Sequence, residues 1–331
     1  MINISHVYLC GQYSLHFIEN QIVIKNNDDL VRELPIELVE SIVIKGSSQI
    51  SSRTIMELLK RNLPIIFLDS HGKYIGRYSD EKVNIIYQRK QFEYSNNLSY
   101  CLDFSKKVII AKIINQNVVL KRYSKDSTNE KTSISITRNI KKIKAATKIS
   151  EIRGYEGNAA KLYFEGIANI INEKFKFNGR NRNPSRDPFN SLLNLGYTLL
   201  YNELIVAINI KGLNPYAGFM HEDKVGHAAL ASDLMEEWRA AIIDSLVLNL
   251  IQNNIIKIEH FDISNNGVFL NKEGYKIFVD NYEKKINMKT KYLSNIDYKL
   301  TFREAIIYKI QSLISTFADG DIDLLEQFIM R

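Results

Sequence analysis

Two hydrophobic periods divide the chain. Through the first 78 residues apolar positions fall in short runs, "HVYLC", "QIVIKN", "SIVIKG", "LPIIFLD" and "KYIGRY", separated by Gly, Asn, Asp and Ser. Runs of that length between turn residues predict β-strands, with hairpin turns at Gly11-Gln12, at "NNDD" and at "SHG" (70–72). One helix, over about Ser52–Arg61, interrupts them.

From about residue 80 the spacing lengthens to three and four, and Gly and Pro become scarce. That periodicity predicts helices over 80–96, 99–122, 134–147, 156–173, 188–210, 228–252, 271–285 and 301–316. No fixed-period repeat is present, and "NGRNRNPSRDPFN" (178–190) reads as a loop carrying Arg180, Arg182 and Arg186. The fold class is therefore α+β. A small N-terminal β-sheet domain (1–78) leads through a linker helix region (79–97) into a larger all-α domain (98–331).

Three helical segments break their own patterns with polar groups. Glu156 shares a helical face with Ala159, Ala160, Tyr163 and Ile167, so its carboxylate falls on the apolar side, beside a glycine that permits close approach. A carboxylate there must be paired or bound, unless it begins the helix and answers the macrodipole. The second segment has Asp187 as N-cap, Pro188 as first helical residue and Gly212 as its stop, and is apolar on nearly every side. Asn190, Asn194, Tyr197 and Tyr201 form one polar stripe along it, either bonding to neighbouring backbone or lining a cavity. In the third, Gly218–Arg239, His221 precedes a helix bearing Asp233, Glu236 and Glu237, with Asp244 beyond. Such a stripe is either a solvated acidic face or part of a metal site.

Composition narrows the choices. Of 331 residues 45% are hydrophobic, a globular value, and the formal net charge is +7. Between Lys106 and Lys148 twelve Lys and Arg face only Asp126 and Glu130, so this stretch carries more than the whole net charge and favours a polyanion track such as nucleic acid over a plain solvated face. Cys10 and Cys101 lack metal-ligand spacing and no H-E-x-x-H motif occurs, which argues against structural zinc. An oxygen-rich site with one imidazole suits Mg2+ or Mn2+. The opening "MINISHVYLCGQYSLHF" has no basic leader, and no uninterrupted apolar stretch approaches ~20 residues, so a cytoplasmic protein without a membrane segment is expected.

"GYEGNAAKLYF", "PFNSLLNLGYTLLYNEL" and "GLNPYAGFMHEDKVGHAALASDLMEEWR" together resemble the CRISPR-associated spacer-acquisition endonuclease and integrase, the first-numbered family of those proteins. Its hallmarks are a Glu in E-G-x-x-A, a His closing G-hydrophobic-hydrophobic-H, and an acid in D-L-M-E-E-hydrophobic-R. "GRY" at the end of the β block, "KIINQNVVLKR", "GYKIFVDNYEKKI" and the terminal "DIDLLEQFIMR" extend the likeness along the whole chain. Ala240 departs from the proline many relatives carry after the arginine.

The resemblance implies metal ligands at Glu156, His221 and Glu236, with Asp233 as a supporting carboxylate and Tyr201 and Arg239 close to the reaction. It implies a metal-dependent DNA endonuclease that also joins 3′-hydroxyl ends of spacer DNA to the CRISPR repeat by transesterification, in antiviral defence. It further implies a homodimer, with dimerisation through the N-terminal domain, acting with the small, ferredoxin-like second-numbered partner. Phosphate contacts are expected from Arg180, Arg182, Arg186, Lys141, Lys142 and Lys144. A catalytically silent nucleic-acid-binding scaffold and a stand-alone nuclease on branched DNA are the rival readings.

Overall fold

Alternation within the early strands decides what they build. In the computed structural model, which describes residues 5–69, 73–78, 85–124, 129–181, 184–222, 224–265, 267–291, 293 and 296–330, contacts divide the chain into two units. One is Met1–Lys90 with Ile205–Asn214, the other Gln91–Leu204 with Pro215–Arg331. The sequence pattern changes at Tyr78 and sets a linker at 79–97, whereas the contacts put the division at Lys90 and return ten later residues to the first unit. The turn at 70–72 lies outside the described residues.

The first unit holds strands β1 (Ser5–Cys10), β2 (Ser14–Ile18), β3 (Gln21–Asn26), β4 (Asp29–Pro35), β5 (Val39–Lys45), β6 (Gln49–Ile50), β7 (Ile65–Leu68) and β8 (Tyr74–Tyr78), with helix α1 (Ser52–Lys60) between β6 and β7. They form two four-stranded sheets, ordered β1-β5-β7-β8 and β4-β3-β2-β6. β1, β5 and β7 run parallel, and β8 closes that sheet antiparallel. Ile42, Ile44 and Ile65 share a core with Leu15, Ile22, Ile24 and Leu34 of the other sheet. Val43 and Ile66, one position out of phase, pack with Val206 and Ile210. Both faces of β5 and β7 are thus covered, which is why "SIVI" and "IIFL" are apolar without alternation. β2, β4 and β6 were not expected from the sequence. β4 is largely exposed and its polar "DLVRE" carries little apolar signal.

The second unit is mostly helical: the end of α2 (Ile85–Ser95), then α3 (Leu98–Tyr123), α4 (Glu130–Ala145), α5 (Ile149–Ala168), most of α6 (Pro188–Ile210), α7 (Ala229–Met235), α8 (Ser245–Gln252), α9 (Lys272–Ile286) and α10 (Phe302–Ser315). A small hairpin, β9 (Phe261–Ser264) with β10 (Gly267–Leu270), precedes α9 and was not anticipated. α3 packs against both α4 and α5. Its start is capped by Asn97, which accepts the Tyr100 amide. α6 is, among the described residues, the one helix long and apolar enough to cross a membrane, and 67% of its apolar window is buried inside the fold.

Candidate active site

Glu156 sits two turns inside α5, since the helix begins at Ile149 rather than at Glu156. Glu151 accepts the amides of Thr147 (2.8 Å) and Lys148 (3.3 Å) and so closes the true N-terminus. Gly154 weakens the helical signal of the intervening turns, which explains the misplaced start. Glu156 therefore does not serve the macrodipole. Its carboxylate meets the ammonium of Lys112 from α3, whose Nζ donates to Oε1. A Cβ added at Gly157 would meet nothing within 4 Å, so no part of the described chain closes on that side.

The helix expected over 228–252 is three pieces. α7 ends at Met235, a π-helical turn occupies Arg239–Asp244, and α8 follows. A π turn carries an extra residue per turn and rotates the side chains beyond it, a distortion frequent at functional sites. The four acids of the stripe take different partners, and none of them is solvated. Asp233 and Glu237 are fully buried, Glu236 is 5% and Asp244 3% exposed.

Asp233 turns back onto the preceding loop. Its Oδ2 accepts the amides of Phe219 (2.6 Å) and Met220 (3.0 Å), and its Oδ1 accepts the His221 amide (2.9 Å) and contacts His221 Nδ1 (2.6 Å). An ionised carboxylate can only accept, so the neutral tautomer that fits Asp233 has its proton on Nδ1 and its lone pair on Nε2. Gly218 permits this approach, since a Cβ there would stand 2.7 Å from Asp233 Oδ2.

Glu236 points into the cleft. Its Oε1 lies 3.1 Å from an Arg239 guanidinium nitrogen, and its Oε2 2.6 Å from Lys112 Nζ. Burial alone would raise its pKa, but the Arg239 and Lys112 charges outweigh burial and bring it down to about 2. Burial likewise pulls the Lys112 ammonium down, and Glu236 and Glu156 outweigh that pull and hold it above its ordinary value. Arg239 also lies over the Tyr197 ring, 4.9 Å from its centroid.

Lys112, Glu156, His221, His227, Glu236 and Arg239 line one cleft of about 700 Å³. All three expected metal ligands thus line this cleft. Among the described residues, though, no three His, Cys, Asp or Glu side chains already form a ligand set, and the lysine stands between the two carboxylates. The donors nonetheless fit a hard divalent ion: two carboxylates, an imidazole with a lone pair, and in Glu236 Oε2 a buried oxygen that accepts no hydrogen bond of good geometry. Tyr201 stands outside this cleft. Its hydroxyl accepts the Ala228 amide (2.7 Å), its ring stacks on His227, and it lines a neighbouring cavity with Tyr197 and Arg239. It buttresses the loop leading into α7.

Asp187 caps α6 as expected, accepting the Asn190 amide at 2.7 Å. The polar stripe on α6 divides its work. Asn190 and Asn194 hold Arg180, and Tyr197 donates to Asp244 (2.6 Å) beside Tyr163 (2.9 Å). Arg180 is consequently fixed beside a second cavity of about 530 Å³, which also borders Lys112, Glu156 and Arg239. Arg186 is exposed and Arg182 lies outside the described residues. Lys141, Lys142 and Lys144 are exposed on α4, opposite its buried stripe of Ser133, Ile136, Asn139 and Ile143.

Sequence reasoning missed Lys112 by counting it into the basic stretch. Its local setting, "VIIAKIIN", was the available signal: a lone cation in an apolar run of a long helix. Lys107 leaves the basic face as well, pairing with Asp323 at 2.9 Å. His227 lay in plain view, but nothing in its spacing distinguished it from a structural histidine.

Residues 7–284 match the model of the family described as CRISPR associated protein Cas1. A CRISPR-associated endonuclease Cas1 of Mycobacterium tuberculosis is 31% identical over 322 residues, 95% of each chain. A Cas1 protein from Thermotoga maritima superposes with a TM-score of 0.69 at 27% identity, covering 95% of this chain and 97% of that one. A casposase bound to integration product gives a TM-score of 0.75 at 25% identity, with 96% of both chains covered.

Proposed function

This chain belongs to the Cas1 family, and from that premise we propose that it is the integrase of CRISPR adaptation: a DNA endonuclease and transesterase that depends on a divalent ion and joins the 3′-hydroxyl ends of spacer DNA to the CRISPR repeat. The observation that carries this reading is the placement of Glu156, His221 and Glu236 on the wall of one cleft. These three would hold Mg2+ or Mn2+. When bound, the ion supplies charge neutralisation at a phosphodiester oxygen and activation of the attacking hydroxyl.

The chain's own groups prepare that chemistry. Asp233 fixes the His221 ring and its tautomer through four hydrogen-bond donors, so the free imidazole nitrogen needs no reorganisation to serve as a ligand. Arg239 orients Glu236 and, lining the cleft itself, adds positive charge where a phosphate would lie. The apolar contributions of Ile109, Ile152 and Met220 to the cleft wall keep water from part of it.

DNA is the substrate, and the exposed lysines of α4 supply part of its track. The protein acts as a homodimer beside a dimer of the second-numbered Cas partner. The endonuclease name of the Mycobacterium relative and the casposase captured with its integration product support cutting and joining by this fold.

The deciding experiment is strand transfer into a repeat-bearing plasmid, with and without Mg2+ or Mn2+, for the unaltered protein and Glu236→Ala. Metal-dependent joining that falls at least ~100-fold in the variant is expected. DNA binding without joining under any metal would reduce the protein to a scaffold. Cleavage of branched DNA without joining would make it a stand-alone nuclease.

A further inference from the structure

The carboxylates of Glu156 and Glu236 share one cation that belongs to the chain itself. Lys112 Nζ donates to Glu156 and lies 2.6 Å from Glu236 Oε2, and only 6% of its side chain is exposed. We propose that Lys112 is the resident counter-ion of this site and competes with the divalent metal for Glu156 and Glu236, so that metal enters only as the ammonium withdraws. The proposal rests on the metal-dependent reading of the same residues.

Electrostatics set the competition. Two carboxylates turned toward each other in a largely buried site repel, and desolvation deepens the cost unless a positive charge lies between them. Lys112 provides that charge in the protein by itself. An ammonium and a dication cannot both occupy the space between the same two oxygens, because at such separations their repulsion is large in a medium of low dielectric. Bound metal must therefore displace the lysine, and each ion pair the lysine gives up is subtracted from metal affinity.

The lysine has somewhere to go. Lys112 borders both cavities, the 700 Å³ cleft and the 530 Å³ cavity that Glu156 also lines, so its chain can swing without leaving the site. One helical turn along α3, Gln116 is 4% exposed and lines the second cavity. Its Oε1 is buried and accepts no hydrogen bond among the described residues, which gives a displaced ammonium an acceptor on the same helical face. A lysine moved there remains beside the cleft, available to a phosphate oxygen.

Mn2+ binding to the full-length chain, read by the loss of the free-ion electron paramagnetic resonance signal, tests this together with thermal melting. Lys112→Met is expected to bind Mn2+ at least ~10-fold tighter than the unaltered protein, about 1.4 kcal/mol. It is also expected to melt lower without metal, with the deficit closing at saturating Mn2+. Should Lys112→Met fail to fold, Lys112→Gln retains amide donors for both carboxylates without the charge and carries the same comparison. Mn2+ binding that is lost in Glu236→Gln but no tighter in either folded lysine variant overturns the competition and leaves the metal site standing. Binding indifferent to Glu236→Gln, or absent from every protein, overturns the metal reading and this proposal together.

Discussion

Asp233 accepts from three successive backbone amides and one imidazole, so a single side chain fixes both the loop that carries His221 and the ring itself. Asp233→Asn puts an amide donor against backbone donors. A loss of about 1–3 kcal/mol of stability is expected, together with a 10- to 100-fold fall in Mn2+ affinity of the order usual for a group that orients a ligand. Urea melts and metal titration read the two effects separately. A different residue reports on pH. Burial lowers the Lys285 pKa from its ordinary value to about 8, assisted by Arg122. The unfolded chain therefore binds more protons here between about pH 8 and 10.5, and stability from this group is full above 10.5 and lost as pH falls through 8. Lys285→Met should flatten that part of the melting-temperature profile. An unchanged profile would show that Lys285 keeps its ordinary value in the folded protein.

At the scale of elements, the π turn at Arg239–Asp244 divides what periodicity reads as one helix, and the C-terminal segment is tied to Glu237, just before that turn. Glu237 pairs with Lys309 Nζ at 2.7 Å and accepts the Phe328 amide, while Asn115 donates to the Glu237 and Phe328 carbonyls. Both members of the pair are essentially unexposed, and burial dominates each, raising the Glu237 pKa and lowering that of Lys309. Removing one partner strands the other charge, so Lys309→Met is expected to cost about 3–5 kcal/mol in chemical denaturation. The double change Lys309→Met with Glu237→Leu should recover most of that loss. If it costs as much as the single change, the pair's charges are not what holds the segment.

For the whole molecule the exposed α4 lysines matter most. Replacing Lys141, Lys142 and Lys144 together by alanine should weaken duplex binding and lower the salt slope by roughly 0.9 for each phosphate left without its lysine. Fluorescence anisotropy across a salt series measures it, and an unchanged slope would remove α4 from the DNA track. Much of this organisation was legible beforehand. The change of period near residue 80 marks β against α, the runs of β1, β3, β5, β7 and β8 are apolar enough to be read, and Asp187-Pro188 starts α6 where it should. β4 and β9 were invisible, because largely exposed strands satisfy their backbone in the sheet without an apolar pattern.

By itself the sequence determined the two structural classes and their order, and its family resemblance pointed to Glu156, His221 and Glu236 as candidate ligands, since period and motif are local properties of the chain. Only the tertiary structure decided where those side chains point. It sent Asp233 to the loop, Glu237 to Lys309 and Asp244 to two tyrosines, and set Lys112 between two carboxylates 44 and 124 positions away in sequence. The reason is physical: a buried charge takes its meaning from its partner, and partners this far apart along the chain are chosen by packing, on which no local pattern reports.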